Sequence, residues 1–140
     1  MPRILGVDLG SRRIGLALSD PSGTLASPLS VLARSGDHRQ DHKQILAEAR
    51  EHEADRIVVG LPRSLSGKLG PAEKATLVEI DELRAAAGDD FTIDSYDERF
   101  TTVIAQRSLV ESGMKRGARK QVVDKVAAAV MLQSYLESSS

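Results

Sequence analysis

Ile4-Leu5-Gly6-Val7-Asp8-Leu9-Gly10-Ser11-Arg12-Arg13-Ile14-Gly15-Leu16-Ala17-Leu18-Ser19-Asp20 is the stretch that decides the fold. Two apolar runs, 3–9 and 13–19, flank a Gly-Ser-Arg-Arg link short enough to fold them into an antiparallel hairpin. Asp8 lies inside the first run. Stripping water from a lone carboxylate costs several kcal/mol, so Asp8 must be paired, hydrated or bound to a metal. A turn-capping role near the hairpin is the plainer alternative. Gly6, Gly10 and Gly15 weaken strands, which points to a turn, a bulge or the close approach of a helix or another backbone.

Working outward, Asp20-Pro21-Ser22-Gly23 marks a turn. Residues 24–32 read as a third strand, at a sheet edge because Pro28 cannot donate to a ladder. Residues 34–40 read as a polar loop and Asp41 to Glu53 as a helix with Ile45, Leu46 and Ala49 inward. Arg56-Ile57-Val58-Val59-Gly60-Leu61 has the β-branched pattern of a buried parallel strand, closed by Pro62. A glycine-containing loop with Arg63 and Lys68 precedes a helix over about 72–87. Residues 91–96 form a fifth strand ending at Asp97-Glu98-Arg99. A helix capped by Thr101 or Thr102 runs to about Ser112 and stops at Gly113. Lys115 to Lys120 reads as a basic, glycine-containing segment, and a last helix covers about Gln121 to Glu137 before a serine-rich tail from about 138. The order β-β-β-α-β-α-β-α-α predicts one α/β domain over 1–140, a three-strand antiparallel meander plus two parallel strands, flanked by helices.

Composition bounds the function. Of 140 residues, 41% are apolar and 28% charged, as in an ordinary globular domain. No cysteine is present, which removes disulfides and thiolate metal sites and agrees with a cytoplasmic location. Asp8 and Arg12-Arg13 break the N-terminal apolar run too early for a secretory leader, and no run is long enough to span a membrane. The formal net charge is −1, so a nucleic acid would have to be met by a local basic patch. Aromatics are only 3%, with no Trp, which argues against base-stacking platforms.

Three carboxylates are candidates for one site. Asp8 is on the strand expected at the sheet centre, and Glu98 lies just past the fifth strand, at the edge where open α/β sheets bind ligands. Asp124 heads a stripe with Ala128, Met131 and Tyr135 at helical spacing. The alternatives are a salt bridge to Arg99 for Glu98 and a helix-dipole role for Asp124. Converging carboxylates repel unless a cation joins them, and an all-oxygen set suits one or two Mg²⁺ or Mn²⁺ ions. His38, His42 and His52 bracket a helix start and its outer face and read as solvated. Arg12, Arg13, Arg63, Lys68, Arg99, Lys115, Arg116 and Lys120 are candidates to hold phosphates.

The segments Gly6–Asp20, Val59-Gly60-Leu61-Pro62, Tyr96-Asp97-Glu98-Arg99-Phe100-Thr101-Thr102 and Val123-Asp124-Lys125-Val126-Ala127-Ala128 resemble, in order and spacing, the motifs of the bacterial YqgF (RuvX) family. The resemblance spans nearly the whole chain. It implies an RNase H-like fold and a Mg²⁺- or Mn²⁺-dependent nuclease with its acidic positions at Asp8, Glu98 and Asp124. Members are described as processing the 5′ end of precursor small-subunit ribosomal RNA, or as Holliday junction resolvases. Ser66-Gly67 departs from the Asn or Asp that often precedes this loop's glycine in the family. Precursor ribosomal RNA ranks ahead of four-way junctions, because a resolvase needs a stable symmetric dimer and no large apolar seam is evident; a monomer or weak dimer is expected. A non-catalytic ribosome-assembly factor is the reading from another class. An ATP-clamping architecture, suggested by Asp8-Leu9-Gly10, needs two such folds, and 140 residues hold one.

Overall fold

The structure, a computed structural model, describes residues 3–62, 70–98 and 116–138, with side chains in the last segment from residue 126 onward. The strands are β1 (Arg3–Leu9), β2 (Arg13–Ser19), β3 (Ala26–Ala33), β4 (Ala54–Leu61) and β5 (Thr92–Asp97). The helices are α1 (His38–Glu51), α2 (Pro71–Ala87) and α3 (Arg116–Ser138). The strands form one sheet in the order β3-β2-β1-β4-β5. β1 pairs antiparallel with β2 and parallel with β4, and β4 pairs parallel with β5. β1 is therefore central, and this is the mixed RNase H-like sheet that the sequence leads one to expect.

Strand alternation divides the side chains between two layers. Leu5, Val7, Ile57 and Val59 join Ile45, Leu46, Ile80 and Leu83 in a core between the sheet and α1/α2. On the opposite face, Ala17 packs with Ala128 and Leu132, and Val58 with Ala127 and Met131, under α3. Gly6 lets α3 lie close: a Cβ there would sit 2.9 Å from Leu132 Cβ and 3.4 Å from the Ala128 carbonyl oxygen.

β3 is an edge strand, and Pro28 sits where the register with β2 shifts between Leu16 and Ala17, so its missing donor disrupts no regular rung. The 20–25 turn is held by Asp20, whose Oδ1 accepts from the backbone N–H groups of Thr24 and Leu25. Two expectations need correction. α1 begins three residues earlier than Asp41, because Asp37 caps it by accepting from Arg39 N–H. The last helix begins at Arg116 rather than about Gln121, so residues 116–120 of the basic segment are the first turn and a half of α3. The single Gly117 costs a long helix only about 1 kcal/mol, too little to stop it. The helix expected over 101–112, the loop with Arg63 and Lys68, and the tail beyond 138 lie outside the described residues.

Candidate active site at the sheet edge

The site is built on neighbouring strand ends. Val7 pairs with Val59 in the parallel β1–β4 ladder, so the next position on each strand sets Asp8 beside Gly60. Asp8 has the same parity as Gly6 and therefore projects to the α3 face, and it is 8% exposed. Glu98 follows β5 on the parity of Tyr96, which reaches Ser134 of α3 at 2.9 Å. Its carboxylate lies over Gly60: a Cβ on that glycine would sit 2.6 Å from Glu98 Oε1 and 3.1 Å from Cδ. The missing side chain at Gly60 is thus the cradle that holds Glu98 at the level of Asp8. Adjacent strands are only about 4.8 Å apart, so the two residues share one edge of the sheet.

The backbone of α3 sets the level of Asp124. Tyr135 bonds Arg56 and Asp94 near the start of β4 and β5, and Ala128 and Leu132 cover Gly6. α3 therefore runs opposite to β1, and four residues of helix advance about 6 Å, as do two residues of strand. The level of Asp8 therefore falls between positions 124 and 128 of the α3 backbone; the Asp124 side chain lies outside the described residues. Ala128 and Met131 are buried on the stripe read from sequence.

Among the basic candidates, Arg12 is exposed and Arg13 half-buried, both at the turn next to Asp8. Arg116 and Lys120 lie on the backbone of α3, with side chains outside the described set. Arg63, Lys68, Arg99 and Lys115 lie outside the described residues altogether.

A second polar group sits on the other face of the sheet, and sequence reading missed it. His42 is not solvated: it is 3% exposed, and its Nε2 lies 2.8 Å from Glu79 Oε2. Position 42 stands at i, i+3, i+4 and i+7 with Ile45, Leu46 and Ala49, on the buried stripe of α1. Glu79 also receives two hydrogen bonds from Arg34, from Nη1 at 2.8 Å and Nη2 at 2.7 Å. Burial pushes the Glu79 carboxyl up, but the bonds from Arg34 and His42 and the guanidinium charge outweigh it and hold the group below its ordinary value. Asp41 is also held low: burial raises it, while the Ser35 hydrogen bonds and Arg34 bring it down. An open cavity of about 370 Å³ borders this group, between Leu9, Arg34 and Thr76; the carboxylate pair at Gly60 lies on the opposite face. His38, His42 and Glu79 bring ligand atoms within 4.8 Å of one another. They make a poor cation site, because the Arg34 guanidinium already occupies both Glu79 oxygens. His38, at the helix start, bonds Glu82 at 3.0 Å, and His52 pairs with Glu48 on α1.

Residues 2–138 match the family model described as "RuvX: Holliday junction resolvase". The chain belongs to the RuvX family. The "Putative pre-16S rRNA nuclease" of Thermoanaerobacter pseudethanolicus is 42% identical over 137 residues, covering 97% of this chain and 96% of that one. The protein of the same description from Desulforamulus reducens is 38% identical over 138 residues, covering 99% and 98%. The solved structure of T. thermophilus RuvC in complex with a Holliday junction substrate superposes with a TM-score of 0.58 at 16% identity, covering 99% of this chain and 96% of that one. That likeness shows a shared RNase H-like fold. Among the described residues, no helix is long and apolar enough to cross a membrane.

Proposed function

We propose that this RuvX-family protein is a divalent-metal-dependent endonuclease that trims the 5′ side of precursor small-subunit ribosomal RNA. The observation that carries the reading is the pair Asp8 and Glu98, drawn to one level at the sheet edge by the bare backbone of Gly60. The names of the full-length relatives support the substrate.

The donor set fits a hard cation. Asp8 and Glu98 would supply carboxylate oxygens and Asp124, placed on the α3 backbone, a third, an all-oxygen chemistry suited to Mg²⁺ or Mn²⁺. Such an ion, when bound, supplies Lewis-acid polarisation of the phosphoryl oxygens and lowers the pKa of an attacking water. The chain's own contribution is positional. Asp8 is fixed by a central strand, Glu98 is seated on Gly60, and the shell around Asp8 excludes bulk water. Arg12 and Arg13, on the turn that follows, draw the phosphodiester toward an acidic centre that would otherwise repel it. We take residues 1–140 as one cytoplasmic domain acting as a monomer or weak dimer.

The family description favours one alternative, cleavage of four-way DNA junctions. The protein is incubated with Mn²⁺ or Mg²⁺ and either end-labelled precursor ribosomal RNA or a four-way junction, beside Asp8→Asn and Glu98→Gln. Cleavage of the RNA, lost in both variants while RNA binding persists, is the expected result. Cleavage of the junction alone moves the reading to a resolvase. Binding without cleavage, or cleavage that survives in both variants, overturns the proposed site and leaves the assembly-factor reading.

A further inference from the structure

We infer that Arg34 is a positioning residue for the sheet-edge site: anchored by Glu79 and His42 on the far face of the sheet, it fixes the Gly10–Arg13 turn and through it Asp8. The inference rests on the nuclease reading for its kinetic test but is argued from geometry alone.

The turn leaves β1 directly after the carboxylate. Gly10 N–H donates to the Asp8 carbonyl at 3.1 Å, so the peptide that carries Asp8 is tied to Gly10. Gly10 is packed against the turn's other limb, where a Cβ would sit 2.5 Å from the Arg13 carbonyl oxygen. Arg34 holds this turn twice. Its backbone N–H donates to the Arg12 carbonyl at 3.0 Å, and its Nε donates to the Gly10 carbonyl at 2.9 Å.

What makes this a clamp is the other end of the guanidinium. Nη1 and Nη2 bond the two Glu79 oxygens in a fork, and Nη1 lies 3.5 Å from Asp41 Oδ2. A two-point fork fixes the guanidinium plane, so Nε–H can point in one direction only. Glu79 is fixed in turn. Held low in pKa, it is an acceptor, so His42 Nε2 donates to it from α1. The chain His42–Glu79–Arg34–Gly10 therefore runs from two helices under the sheet to the turn that follows Asp8 and carries the exposed Arg12. A buried ion pair of this kind is weak evidence of a stabilising purpose, since an apolar replacement is often as stable. Its geometry suits position better.

The test compares Arg34→Lys and Glu79→Gln with wild type, and with Arg56→Gln as a control. Lysine keeps the charge but has one nitrogen, so it cannot bond Gly10 and both Glu79 oxygens together. Arg56 is likewise paired to an acid, Asp94 at 3.0 Å, but lies at the opposite end of its strand. kcat and KM on precursor RNA, Mn²⁺ affinity by electron paramagnetic resonance, and amide exchange over residues 9–13 are measured where every protein is fully folded. Displacing a reacting group by about 1 Å can cost on the order of a hundredfold. kcat is expected to fall at least tenfold in both variants, Mn²⁺ to bind several-fold more weakly, and KM to stay within twofold, while Arg56→Gln keeps wild-type kcat. Wild-type kcat in Arg34→Lys and Glu79→Gln overturns the inference. If wild type cleaves nothing, the nuclease reading fails separately. Amide exchange then decides: faster exchange over 9–13 in both variants supports the clamp, and unchanged exchange overturns it.

Discussion

Gly60→Ala should separate activity from stability. The added methyl carbon would lie 2.6 Å from Glu98 Oε1, which is 0.8 Å inside the 3.4 Å where ordinary contact begins. It would also crowd Glu98 Cδ at 3.1 Å and Cγ at 3.3 Å. All three atoms belong to the outer part of a flexible side chain, so the carboxylate swings aside and the backbone stays. The cost of that rotation, about 1 kcal/mol off a favoured rotamer, is offset by the 0.4–1 kcal/mol that alanine gains over glycine through the unfolded chain. The melting temperature should therefore move by only a few degrees. Activity should not survive as well. A displacement near 0.8 Å at a group that must reach the reacting phosphate is worth about a hundredfold. Gly6→Ala is the matched control with the opposite outcome. Its methyl would meet Leu132 Cβ at 2.9 Å and a main-chain oxygen at 3.4 Å. Cβ cannot rotate away, so α3 must lift from the sheet at about 1–3 kcal/mol. The assay is a pair of thermal melts with cleavage rates on labelled precursor RNA. Full activity in Gly60→Ala, or a melting drop equal to that of Gly6→Ala, would refute the argument that Gly60 exists to seat Glu98.

Two further outcomes follow from the charges. Glu79 and Asp41 are held below their ordinary values in the folded protein. Each therefore binds fewer protons folded than unfolded, and its contribution is present above the unfolded pKa and lost as pH falls through the lowered folded one. Glu79→Gln should cost about 2 kcal/mol at neutral pH and give a flatter loss of stability below about pH 4.5, seen in urea midpoints from pH 7 to 3; curves of equal slope would count against it. Arg12→Gln should weaken RNA binding and lower the slope of log affinity against log salt by about 1, read in a filter-binding titration; an unchanged slope would remove Arg12 from the phosphate path.

How much of this was legible in the sequence depended on the distance over which the cause acts. The hairpin around Asp8 is local, and its turn residues and two apolar runs mark both strands to the residue. The stripe of Ala128 and Met131 is local too, since helical periodicity needs only neighbouring turns. His42 was misread although its spacing to Ile45, Leu46 and Ala49 already placed it on the buried stripe of the helix; what the sequence could not show was its partner Glu79, 37 residues away. The ion pair of Arg34 and Glu79 left no trace, since the partners are 45 residues apart and each looks like an ordinary surface charge. The role of Gly60 was invisible for the same reason: a glycine in a strand signals close approach, but only the β4–β5 pairing reveals that the approaching group is Glu98.

The two faces of β1 explain why the site needs support from beneath. Val7 and Asp8 are neighbours in sequence, yet Val7 is locked into the core under α1 and α2 while Asp8 projects under α3. The lock ends there, because Leu9 is the last strand residue and only partly buried. A carboxylate one residue from a strand end would inherit the motion of the turn that follows it. That turn is short, contains glycine and carries Arg12, which is exposed. Apolar packing therefore cannot immobilise it. The remaining means is directional hydrogen bonding to its carbonyls, and Arg34 supplies two such bonds from a base buried between helices. On this argument the polar group under the sheet and the acidic pair above it are parts of one device, with the residues that hold the site still on the opposite face of the sheet.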